Sequence, residues 1–152
     1  MPQFRTMRRV RHSAADMFAL VADAEKYPEF LPLCLALRIR RREQKEEGVE
    51  ALIADMTVGY KAIRETFTSR AVMDRPRLAI QVEYVDGPFS RLDNRWTFKD
   101  VEGGCEVGFF IDYEFRSRTL GLLMGAMFDS AFRKFAEAFE QRADKVYGRK
   151  TG

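Results

Sequence analysis

Asp112 and Glu114 are two carboxylates one strand step apart, a spacing that suits a general acid and base when a cleft lies between them. They alternate with Ile111, Tyr113 and Phe115, so strand periodicity turns both away from the face that Ile111 and Tyr113 share. No catalytic role is expected of them. His12 is the only histidine, which excludes a histidine-rich metal site. Cys34 and Cys105 lie far apart with no CxxC, so neither a disulfide framework nor a thiolate metal site is expected, and a reducing compartment is the simpler setting. A Ser/His/Asp set, a Gly-rich phosphate loop and metal-ligand spacing are all missing from the sequence. The groups that invite binding chemistry are polar residues inside apolar stripes. Asn94 interrupts Leu92 and Trp96, and Tyr84 and Tyr113 end or interrupt their stripes. Burying such a group without a partner is costly. Each can donate to a carbonyl, which belongs either to a neighbouring strand or to a ligand.

The elements that position these groups follow from periodicity. Ser13 and Asp16 form a capping-box variant, and Ala14, Met17, Phe18 and Val21 then make one helical stripe ending near Asp23. From Leu33 the period is two: Leu33, Leu35, Leu37 and Ile39 on one face, then Leu52, Ala54, Met56 and Val58, then a Thr-rich strand at 61–72. Leu78, Ile80, Val82 and Tyr84 alternate next, followed by Leu92, Asn94, Trp96 and Phe98, and then by Cys105, Val107, Phe109, Ile111, Tyr113 and Phe115. Turn signals separate them at 47–49, 74–76, 86–88 and 102–104. From Thr119 the period returns to 3.6, and Met124, Met127, Phe128, Ala131, Phe135, Ala138 and Phe139 predict one long helix to about Tyr147. The expected fold is α+β within one domain, 1–152: a strand, two short helices, about six antiparallel strands and a long helix covering the sheet's apolar face. A curved sheet gripping one helix often leaves a cavity between them.

Composition agrees with a chain rich in large apolar side chains. Hydrophobic residues make up 46%, with 13 Phe, which fills a large core or wraps a cavity. The net charge of +3 is too mild to demand a polyanion, and DNA is not an expected partner. No run approaches the ~20 apolar residues of a membrane span. The basic start precedes only a short apolar stretch, so no signal peptide is expected, and cleavage there would remove what reads as the first strand. Two arginine runs, Arg5, Arg8, Arg9 and Arg11, and Arg38, Arg40, Arg41 and Arg42, suit a solvated strand surface, anionic lipid headgroups or an RNA backbone.

DAEKYPEFLPLC at 23–34 places Tyr27, Phe30 and Leu31 between two prolines that prevent a regular helix. These side chains either plug the end of a core or line the mouth of a pocket, with the Gly-containing segment 119–128 as the facing half of a gate that could open against a bilayer.

Five segments carry a family likeness: VADAEKYPEFLPLC, YKAIRETFTSR, DGPFSRLDNRWTF, IDYEFRS and AFEQRADKVYG. In order and spacing, from about Val10 to Gly148, the chain resembles the coenzyme Q-binding protein family of START-like (polyketide cyclase/dehydrase-like, helix-grip) domains. The resemblance implies a seven-stranded antiparallel sheet wrapped around a C-terminal helix, with a tunnel between them. It implies ubiquinone or a similar isoprenoid lipid as bound ligand, no covalent cofactor, and a non-enzymatic carrier or chaperone supporting respiration. That role fits a cytoplasmic protein, peripheral at the inner membrane through transient surface contact. Bacterial relatives act as ribosome-association toxins on the large ribosomal subunit, which is the alternative, and a small-molecule cyclase is a third. For a quinone, an apolar wall would take the tail and a few donors the head. The residues expected to line the tunnel are Tyr27, Phe30, Leu31, Ile80, Val82, Leu92, Asn94, Trp96, Phe109, Ile111, Tyr113, Met124, Phe128 and Phe135, with Phe109 and Phe128 facing each other across it. For any one of them taken alone, plain core is the reading its residue type favours.

Overall fold

In the computed structural model, which describes residues 3–148, seven strands form one antiparallel sheet. The first two and last four residues of the 1–152 span lie outside the described residues. The elements are β1 (Gln3–Val10), α1 (Ala14–Ala22), a 3-10 segment (Ala24–Glu29), β2 (Cys34–Glu46), β3 (Val49–Tyr60), β4 (Ile63–Asp74), β5 (Ala79–Asp86), β6 (Phe89–Val101), β7 (Gly104–Phe115), α2 (Arg118–Arg133) and α3 (Phe135–Tyr147). The spatial order β1-β7-β6-β5-β4-β3-β2 is a meander with β1 added beside β7. The α+β helix-grip class read from the sequence is the one observed.

Local chemistry explains the boundaries. Ser13 Oγ accepts from the Asp16 N–H at 3.1 Å, so α1 starts where the capping pattern places it. Ala14, Met17, Phe18 and Val21 are buried, and the Phe18 ring meets Phe98 edge-on at 5.9 Å. Gly104 opens β7 where no side chain fits: a Cβ there would lie 1.8 Å from the Val10 carbonyl oxygen. His12, just beyond β1, is buried, with Nε2 2.7 Å from Asp144 Oδ1, tying the sheet's first edge to α3.

Three local expectations are corrected. Leu33 is not a strand residue: it sits at φ +65 before β2, a bulge between Cys34 and Ala36 shifts the register, and Leu35 is turned out while Cys34 is buried. Leu78, at φ +51, belongs to the turn before β5. The long C-terminal helix is two helices. At Lys134 the ladder is interrupted: its N–H bonds Ala131 O at 3.0 Å, three residues back, and α-helical bonding resumes with Ala138 N–H to Lys134 O at 2.8 Å. Tightening one turn bends the helix over the curved sheet.

Both arginine runs lie on or beside the two edge strands, β1 and β2. Arg8 pairs with Glu140 and Arg40 with Asp55, each at 2.7 Å, and Arg42 bridges Glu25 and Glu50. Charge on an edge strand opposes pairing with another sheet.

Candidate functional site

Between the concave face of the sheet and the helices lies a cavity of about 1020 Å³ of unoccupied space, its opening to solvent included. Four consecutive strands supply most of its floor: Leu52, Ala54, Met56 and Val58 of β3, Phe67, Ser69, Ala71 and Met73 of β4, Ile80 and Val82 of β5, and Phe89, Leu92, Asn94 and Trp96 of β6, with Leu37 of β2 and Ile111 of β7 beside them. Phe128, Ala131 and Phe132 of α2 and Phe135 and Phe139 of α3 form the roof, and Val21, Ala22, Tyr27 and Leu31 close one side. Among the described residues, no carboxylate, imidazole, amine or guanidinium belongs to this lining.

Ten of the fourteen residues expected to line a tunnel reach this space: Tyr27, Leu31, Ile80, Val82, Leu92, Asn94, Trp96, Ile111, Phe128 and Phe135. Phe109 does not. It lies behind the wall, buried against Trp96 at 4.7 Å, Phe135 at 5.8 Å and Phe132 at 6.5 Å, so it does not face Phe128 across the space. Tyr113 is also set back, among Phe89, Phe115, Phe128 and Phe132, with its hydroxyl donating to Gly125 O at 3.5 Å. Burial pushes its phenol up to about 12. Met124 is buried on α2 outside the lining. Phe30 packs outside it, against Phe139 at 5.1 Å and beneath the Arg142 guanidinium at 5.1 Å.

The polar side chains inside the lining have distinct roles. Asn94 Nδ2 donates to Phe110 O at 2.9 Å, and its Oδ1 accepts from Trp96 Nε1 at 3.2 Å. These two bonds orient the amide and leave one of its two N–H donors unused. Ser69 makes no side-chain hydrogen bond among the described residues. The Tyr27 hydroxyl donates to Val21 O, and burial pushes its phenol well above the usual range. Tyr84 lies outside the lining, its hydroxyl accepting from the Phe89 N–H at 3.0 Å. Asp112 and Glu114 point outward, 3.0 and 3.3 Å from the Arg91 guanidinium.

The two-proline segment is therefore both plug and wall. Tyr27 and Leu31 line the cavity, while Tyr27 and Phe30 form an aromatic trio with Phe139, and Glu29 pairs with Arg142 at 2.7 Å. The partner of this segment is α3, not the 119–128 stretch of the expected gate. Tyr27→Phe should lower stability by about 1 kcal/mol, because the Val21 carbonyl loses its donor while the ring packing stays. A denaturant titration that showed no change would mean that water replaces the hydroxyl.

Sequence reading missed the β3 and β4 floor, and also Phe89, Phe132 and Phe139. The alternation of Leu52, Ala54, Met56 and Val58 was visible, and Phe132 stands four residues from Phe128 on the same helical face. Nothing local marks Ala71 or Ser69, which gain meaning only once β4 is seated in the sheet.

Known proteins place this geometry in a family. The family model described as "Polyketide cyclase / dehydrase and lipid transport" matches residues 10–140. The chain is 33% identical over 148 residues to the persistence and stress-resistance toxin PasT of Escherichia coli, covering 97% of this chain and 90% of that protein. It is 34% identical to the ribosome association toxin RatA of Vibrio cholerae, covering 91% and 93%. It is also 29% identical to the mitochondrial coenzyme Q-binding protein COQ10 of Drosophila melanogaster, covering 91% of this chain and 57% of that protein. The solution structure of an 18 kDa protein from Caulobacter crescentus superposes with a TM-score of 0.79 at 30% identity, covering 97% and 99%. A START superfamily protein from Mycobacterium smegmatis shares the fold with a TM-score of 0.77 at 16% identity, covering 95% and 98%. With the model spanning most of the sheet and the helices over it, the chain belongs to the polyketide cyclase/dehydrase and lipid transport family.

Proposed function

We propose that this protein holds an isoprenoid quinone such as ubiquinone in the cavity and acts as a carrier rather than an enzyme. The observation that carries this reading is the continuous apolar lining with a single oriented amide, Asn94, whose second N–H is unused. A polyisoprenoid tail gains roughly 25 cal/mol per Å² buried against such a wall. Met56 and Met73 suit a flexible chain because they repack easily. A quinone carbonyl is the acceptor the Asn94 N–H can meet, and a lining whose one titratable group among the described residues is the Tyr27 phenol, already bonded to the Val21 carbonyl, favours holding a molecule over converting it. The likeness to the protein named coenzyme Q-binding supports the same choice.

A second reading has its own support. Relatives at 33–34% identity are named as toxins, one of them for ribosome association, and the arginine-bearing sheet edges suit ribosomal RNA of the large subunit. One preparation tests both. Mass spectrometry of an organic extract of the purified protein should show a quinone in stoichiometric amount. An extract without quinone or other isoprenoid, together with co-sedimentation with large ribosomal subunits, would reverse the order of the two.

A further inference from the structure

Seven large apolar side chains are exposed among the described residues, and five of them, Leu35, Tyr60, Val85, Leu122 and Leu123, belong to segments at the same end of the sheet. Strand register puts them there. The β3–β4 turn follows the Tyr60–Ile63 pair, β5 ends at the Asp86–Thr68 pair, and β6 begins and β7 ends at the Phe89–Phe115 pair, from which the chain enters α2. Leu35 packs over Gly59 of the same end. Leu122 and Leu123 stand in the early turns of α2, 81% and 58% exposed, on a helix whose start is fixed by the Leu120 N–H donating to Ser117 Oγ at 3.1 Å. A pair so exposed is unusual for a helix that otherwise buries its apolar face.

Charge around these side chains is mainly positive. Lys61 and Arg64 flank Tyr60, and Arg116 and Arg118 precede the leucines, all four exposed. Glu65 and Asp86 are the nearby acids, and Glu114 is already held by Arg91. The rim is also continuous with the cavity: Leu33, Phe67 and Phe89, which line it, lie beside Leu35, the β3–β4 hairpin and the β5–β6 turn.

We propose that this end of the molecule docks on an anionic lipid bilayer, with Leu122 and Leu123 entering the headgroup boundary and Lys61, Arg64, Arg116 and Arg118 meeting lipid phosphates. Apolar insertion beside a basic ring is the chemistry of interfacial binding, and cations near an anionic leaflet add to it. No helix among the described residues is long and apolar enough to cross a membrane, so the contact is peripheral. The proposal does not depend on which lipid fills the cavity.

The test uses ligand-free protein and co-sedimentation with phosphatidylcholine vesicles, with and without phosphatidylglycerol. The parent protein should bind the anionic vesicles, less so as salt is raised. Leu122→Asp with Leu123→Asp should lower the partition by about tenfold or more, since both carboxylates would have to leave water. Val146→Asp, an exposed site on α3 away from this end, should change nothing. Circular dichroism confirms that each variant is folded. Failure of the parent to bind, or equal binding by the double variant, overturns the proposal. So does a parent protein that ignores vesicles but dimerises through the leucines, seen as a dimer in size exclusion that the double variant converts to monomer.

Discussion

Phe109→Ala should cost about 3–5 kcal/mol of folding stability and leave lipid retention per folded molecule unchanged, whereas Phe128→Ala should cost less and lose the lipid. The difference follows from what surrounds each ring. Phe109 is 2% exposed and enclosed on every side by Trp96, Phe132, Phe135 and Phe4, so its removal leaves a void between packed neighbours. Phe128 is equally hidden from solvent, but one of its faces borders the cavity. That face has fewer atoms to lose contact with, and the new space merges with space already present. Its stability loss should fall at the lower end of the range or below it, while the ligand loses part of its wall. Chemical denaturation of both variants, with quinone content measured on the folded fraction, reads the contrast. Equal stability losses with unchanged quinone in both would make Phe128 plain core and deny the cavity its occupant.

The pairing of these two phenylalanines shows what periodicity can and cannot place. Alternation correctly put Phe109 on the inward face of β7, and the 3.6 period put Phe128 on the inward face of α2. Inwardness is one property of a side chain, and bordering a void is another. The second depends on curvature: β7 lies near one edge, where α2 and α3 pack down on it, and the void opens over β3, β4, β5 and β6, where the helices stand away. Curvature builds up over several strands and leaves no mark in any one of them. The break at Lys134 is hidden for the same reason, because neither proline nor glycine marks it and the apolar stripe continues through it. Capping and turn signals were reliable, whereas alternation carried Leu33, Leu35 and Leu78 onto strand faces they do not occupy. Ser13 capped α1, the turn residues set the hairpins, and the two prolines kept Ala24–Glu29 from becoming an α-helix.

Filling the cavity from its floor separates space from surface. Ala71 lies on β4 between Leu52 of β3 and Val82 of β5, with its side chain on the cavity face. Ala71→Phe would project a ring into the void without adding a charge or removing a hydrogen bond. In a packed core that change costs about 1–3 kcal/mol, because neighbours must leave their rotamers. In a real void the ring finds apolar partners, and stability should hold or rise by up to ~2 kcal/mol. Quinone retention should fall at least about tenfold, since ring and ligand compete for one volume. Ribosome co-sedimentation, if the protein shows it, should persist, because the arginines of the sheet edges lie on strands flanking the floor and are untouched. A melting curve shifted down as in a packed core would mean that the space is smaller than its lining suggests. Unchanged quinone in a stable variant would put the ligand elsewhere. Loss of both quinone and ribosome association in a stably folded variant would tie the two activities to one cavity and end the case for treating them as alternatives.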